Sequence, residues 1–146
     1  MKTAVALIAL LVAGSAAAQD VPRLDGTWKL DMPMSGIHRT DYPDITLTVS
    51  QSDSELVFET KAVGRSVLRY RLGEETTQVF GGLERSALAK WEAGRLVVVG
   101  EREMASGMAP YRLTVSLAGE SDLVIHEYIY LASGEAQSKQ VYHRIK

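Results

Sequence analysis

The chain has 146 residues and carries 16 Lys and Arg against 18 Asp and Glu, a formal net charge of −2. That balance offers no clustered basic face for neutralising phosphates, so nucleic acid is not an expected partner. The sequence has no cysteine, which removes a disulfide framework, thiolate zinc sites, cysteine-linked haem and cysteine nucleophiles together.

The first residues read as an address. Lys2 supplies a positive start, residues 4–14 form an apolar run, and Ser15-Ala16-Ala17-Ala18-Gln19 offers the small residues a signal peptidase reads. The expectation is a signal peptide over residues 1–19, cut after Ala18 or Gln19, and one domain over residues 20–146. The apolar run is shorter than the about 20 residues a membrane span needs, and no later stretch approaches one. With no cysteine behind the small residues a lipid anchor is excluded. The expected location is periplasmic or secreted.

The rest reads as strand after strand. Leu24-Asp25-Gly26-Thr27-Trp28-Lys29-Leu30-Asp31 opens the series, and Ile45-Thr46-Leu47-Thr48-Val49-Ser50 alternates apolar and small polar residues as a half-buried strand does. A turn at Asp53 leads into residues 56–60, and residues 66–72 put Leu68, Tyr70 and Leu72 opposite Arg69 and Arg71. Gly81-Gly82 breaks the chain before residues 83–91. It lacks a following lysine and helix, so it is a turn and not a phosphate cradle. A hairpin at Glu92-Ala93-Gly94 precedes residues 95–102, and strands follow at 111–117, 123–131 and 137–145. Residues 86–92 have helix propensity but are short and run into a hairpin, so they are read as strand. About nine short strands joined by hairpins predict an all-β fold, a single antiparallel up-and-down β-barrel of about eight to ten strands, because closure removes the sheet edges. A β-sandwich is the alternative.

Gly26-Thr27-Trp28 in the first strand and Tyr142-His143-Arg144 in the last resemble the calycin group, and more closely the short lipocalin-like proteins that bacteria export. The resemblance implies that Trp28 closes the barrel floor beside Gly26, with Arg144 capping the indole through a cation–π contact. Three features depart from lipocalins. No helix follows the barrel, Thr40-Asp41-Tyr42 comes too early to be their T-D-Y motif, and the disulfide is missing. The resemblance therefore carries a fold and not a particular ligand.

Tyr70, Trp91 and Tyr111 share the parity of aliphatic neighbours, so they either line a cavity or fill the core. Residues 123–131 are apolar on both parities, and there His126 and Tyr128 are the further candidates for ligand contact. Adjacent final strands would bring His126 near His143 as a shared or pH-sensitive pair. No nucleophile–base set can be assembled, so no catalytic residue, no enzyme and no cofactor is expected. Met32, Met34 and His38 form a set that suits Cu(I). Two methionines plugging the open end of a barrel is the stronger reading, and no metal is assigned. The expected function is non-catalytic binding of a small hydrophobic or amphipathic molecule inside the barrel. The alternative is a protein partner, for example a protease met through the irregular segment 32–44.

Overall fold

A computed structural model describes residues 21–38 and 43–146. The predicted signal peptide and Thr40-Asp41-Tyr42 lie outside the described residues. Ten strands follow in chain order: β1 (Gly26–Asp31), β2 (Thr46–Gln51), β3 (Glu55–Lys61), β4 (Arg65–Arg71), β5 (Glu75–Phe80), β6 (Leu83–Glu92), β7 (Arg95–Met104), β8 (Gly107–Ala118), β9 (Asp122–Leu131) and β10 (Gly134–Arg144). They form one sheet in the order β4-β3-β2-β1-β10-β9-β8-β7-β6-β5, every paired neighbour antiparallel. The first strand pairs the last, with Trp28 opposite Arg144, so an up-and-down meander curls into a barrel. The sandwich alternative falls, because one continuous sheet supplies all ten strands. Among the described residues no helix is long and apolar enough to cross a membrane.

Closure is incomplete at one seam. Between β4 and β5 there is no ladder; just beyond β4, Leu72 bridges to Ala89 on β6 and the Gly73 N–H donates to the Ala89 carbonyl at 2.9 Å. Higher on the seam the Gln78 amide stands in for a strand. Its Oε1 accepts the Arg69 N–H and its Nε2 donates to the Arg69 carbonyl, both at 2.9 Å.

The strand beside that seam, β5, is the one that sequence periodicity missed. Its inward positions are Thr76, Gln78 and Phe80, while Val79 faces out and is exposed. A strand at a break in the wall has a wet inner face, and the apolar alternation that reveals other strands is absent.

Residues 86–92 are strand, as expected, and lie within β6. Alternation on β1, β2, β3, β7 and β8 sends Trp28, Leu47, Val49, Leu56, Leu96, Val98 and Val115 inward, where all are buried. They pack together toward one end of the barrel, with Leu47 and Val115 at the border of the remaining space. The space that remains lies toward the other end.

Candidate functional site

The unfilled space is a cavity of about 250 Å³. Leu47, Phe58, Leu68, Leu113 and Ile125 form its apolar wall, while Arg85, Arg102, Glu127, Ser138 and Gln140 supply polar atoms. Its volume falls just under the range of about 300–1,000 Å³ typical of ligand pockets, which limits an occupant to a small molecule.

Charge inside this barrel comes from three strands. Arg85 on β6 and Arg102 on β7 are directly paired across the ladder. Two like charges so placed repel, and only one of them is neutralised: Arg102 forms an ion pair with Glu127 on β9. The Nε of Arg102 is buried without a partner. Arg85 is only 6 % exposed, and among the described residues no carboxylate lies within ion-pair distance of it. Its guanidinium packs instead against ring faces, 5.0 Å from the centroid of Phe80 and 5.6 Å from that of Tyr111. Cation–π contact offsets part of the desolvation of a buried cation but does not replace a counter-ion.

Phenols complete the polar set. Tyr70 lies on the cavity wall, edge-on to Phe58 at 5.5 Å, and burial pushes its hydroxyl well above the usual tyrosine range. Tyr142 is pushed up to about 12 by desolvation and donates to Gln140 Oε1 at 3.0 Å. Both are therefore neutral hydrogen-bond donors at any physiological pH.

The other predicted ligand contacts lie elsewhere. Tyr111 points inward beneath Arg85, and its hydroxyl donates to the Ser86 carbonyl at 2.7 Å; burial raises its pKa as well. Trp91 sits at the filled end, beside Val21, Gln51 and Leu72, and is not on the cavity wall. His126 and Tyr128, the further candidates for ligand contact, do not line the cavity. Ile125 and Glu127 face the cavity, so the two-residue strand period sends His126 and Tyr128 to the outer face. There their rings lie 5.1 Å apart in a shallow groove with Arg95, Arg112 and Tyr130.

The expected pair of His126 with His143 does not form either. Register sets His126 opposite Lys139 and His143 opposite Asp122. His143 lies between two carboxylates instead, with Nε2 2.6 Å from Asp31 and Nδ1 2.6 Å from Asp122.

At the filled end, Trp28 is fully buried and donates from Nε1 to the Leu24 carbonyl at 3.1 Å. The Arg144 guanidinium lies 4.1 Å from the indole centroid and donates to the Asp25 carbonyl at 2.7 Å. Gly26 has φ of +141°, and a Cβ there would stand 2.7 Å from both Arg144 Nη1 and the Lys146 carbonyl oxygen. Met32 is half-buried against the core and Met34 is exposed. Among the described residues no group of three His, Asp or Glu side chains is placed to hold a metal.

Sequence reasoning missed Arg85, Arg102 and Glu127. The signal was present: Arg85 shares the parity of Ala87 and Ala89, and Glu127 that of Ile125 and Ile129. A charge on an otherwise apolar parity marks either a strand end or a polar group inside the barrel.

No family model matches the sequence, and no curated protein does. Solved structures do match. Lipid binding protein 8 of Caenorhabditis elegans superposes with a TM-score of 0.66 at 13 % identity, over 86 % of this chain and 99 % of that one. Fatty-acid-binding protein 1 of Echinococcus granulosus gives 0.62 at 16 %, over 84 % and 98 %. The zebrafish ileal bile acid-binding protein complexed with cholic acid gives 0.61 at 15 %, over 83 % and 98 %. The likeness is one of fold, a near-closed antiparallel barrel.

Proposed function

We propose that this protein is an exported, non-catalytic carrier of a small amphipathic molecule with one anionic group, held in the barrel cavity with its charge on Arg85. The observation that carries this reading is the buried guanidinium of Arg85 without a carboxylate partner, on the wall of a largely apolar cavity. An uncompensated buried charge is costly, and an anionic ligand would supply the missing counter-ion while its apolar part covers Phe58, Leu68 and Ile125. Tyr70 and Ser138 add donors for the same head group. The structural neighbours named as lipid, fatty-acid and bile-acid binders support the same class. Export rests on the composition of residues 1–19, and mass spectrometry of the protein from its own cells should find a chain beginning after Ala18 or Gln19.

Calorimetric titration of octanoate against 1-octanol tests the ligand reading. A hydrogen bond to a charged group contributes about 1.5–3 kcal/mol, so octanoate is expected to bind roughly tenfold to a hundredfold more tightly. Arg85→Met keeps the side-chain bulk and should bring the two ligands within about twofold. Equal affinities for acid and alcohol in the unmodified protein would refute the reading.

A further inference from the structure

We propose that Asp31, His143 and Asp122 form a pH-dependent clamp that holds the turn after β1 against β10 and so governs how fast ligand passes the mouth of the cavity. The effect on ligand passage rests on the carrier reading above. The clamp itself does not.

The geometry sets the protonation state. A neutral imidazole has one N–H and one lone pair, so it can donate to a single carboxylate. His143 meets a carboxylate oxygen at 2.6 Å on each ring nitrogen, Asp31 on one side and Asp122 on the other. Both contacts are attractive only for the imidazolium.

The clamp reaches the turn through Asp31. While one carboxylate oxygen meets His143, the other accepts the Met34 N–H at 2.9 Å. The Asp31 carbonyl accepts the Ser35 N–H at 3.1 Å, and Ser35 Oγ accepts the Val141 N–H at 2.9 Å. The turn is thus hung on β1 at one end and on β10 at the other.

Its position makes it one side of the mouth. β1 pairs β10 only from Val141 to Arg144, so among the described residues no strand lies beside the stretch of β10 from Gly134 to Gln140 on that flank. The turn occupies that flank. Met34, Ser35, Gly36 and Ile37 face Ser138 and Gln140 across a groove, and both of these β10 residues also line the cavity. Releasing Asp31 from His143 loosens the segment that borders this opening.

Other charges near the clamp are occupied. On β1, Lys29 stands opposite His143 in register and faces Asp44 at 3.8 Å. On β10, Arg144 is committed to Asp25 and Trp28, and Lys139 lies opposite His126. Arg144 also reaches the Glu120 carbonyl in the turn before β9. Among the described residues only Asp31 and Asp122 pair with the ring.

The hydrogen bond that the ring donates to Asp31, then the one it donates to Asp122, raises the pKa of His143 above its ordinary value. The Met34 N–H, then His143, lowers that of Asp31. The clamp is therefore closed between the lowered Asp31 value and the raised His143 value. It is lost as pH rises through the upper limit or falls through the lower one.

Stopped-flow exchange of 8-anilinonaphthalene-1-sulfonate, together with NMR of the His143 ring and the Met34 amide, tests this. In the unmodified protein, association and dissociation rates should both rise roughly tenfold from about pH 6 to about pH 9, following the His143 titration and leaving affinity nearly unchanged. His143→Gln should exchange at the fast rate throughout, with no alkaline limb. Asp122→Asn removes one carboxylate and should move the limb to lower pH. If the dye fails to bind, the carrier reading fails, while the Met34 amide still reports the clamp by shifting with the His143 titration. A Met34 amide that ignores the titration overturns the clamp. So does a bound dye whose rates are the same in the unmodified protein and in His143→Gln across the alkaline limb.

Discussion

Trp28→Ala is expected to lower unfolding stability by about 3–5 kcal/mol. The indole is fully buried among the residues that fill one end of the barrel, so its removal leaves a void lined by groups that cannot close in. Two further contacts are lost with it: the hydrogen bond to the Leu24 carbonyl and the face on which the Arg144 guanidinium rests at 4.1 Å. Against a typical domain stability of about 5–15 kcal/mol this is a large fraction. Urea unfolding followed by far-ultraviolet circular dichroism should show a lower midpoint with an unchanged slope. A double-mutant cycle with Arg144→Met isolates the cation–π part, expected at about 0.5–2 kcal/mol. A loss under about 1 kcal/mol for Trp28→Ala would mean that the indole does not close the floor.

Gly100→Ala is expected to cost roughly 2–4 kcal/mol and to disturb the cavity as well. Gly100 lies on β7 opposite Tyr111, in a stretch where the β6–β7 ladder opens: Arg85 pairs Arg102 and Leu88 pairs Val99, but the two residues between on each strand do not pair across β6 and β7. The Ser86 carbonyl accepts the Tyr111 hydroxyl across Gly100, while Ser86 Oγ accepts the Glu101 N–H at 3.0 Å. A Cβ on residue 100 would stand 2.1 Å from that carbonyl oxygen. The obstacle is backbone, so it cannot swing aside as a flexible side chain does. Either β6 is displaced, carrying Arg85 with it, or the Tyr111 hydrogen bond breaks. Tyr111→Phe removes only the hydroxyl and should cost about 1–2 kcal/mol. Denaturant midpoints for both variants, with octanoate affinity measured alongside, check the expectation. Unchanged stability for Gly100→Ala would show that this opening in the ladder closes without strain.

Strand alternation carried most of the architecture. Residues 45–50, 66–72 and 111–117 announce one apolar face each, and all three lie within or overlap observed strands. The final pairing of β1 with β10 was legible only through Gly26, Trp28 and Arg144, because no local pattern links residues so far apart in the chain. β5 was illegible, since its inner face borders the open seam and carries threonine and glutamine.

The candidate site was read less well than the fold. Tyr70 and Tyr111 point inward as their parity predicts, and Tyr70 lines the cavity. Trp91 shares that parity but lies at the filled end, because parity fixes the face of a strand and not the height along the barrel. His126 and Tyr128 fall on the opposite parity to Ile125, so the same rule that located Tyr70 puts them on the outer face and not on the cavity wall.

What the amino-acid order determined by itself is therefore local: the absence of cysteine chemistry, the strand periods, and which side chains share a face. Those properties follow from a two-residue period and from composition, and need no knowledge of distant partners. Only the tertiary structure decided the rest. Strand register set Arg85 beside Arg102, brought Glu127 to only one of them, and placed His143 between Asp31 and Asp122. Those relations depend on how strands that are remote in the chain slide past one another as the sheet closes. A slip of one residue would reverse every inward and outward assignment at the site.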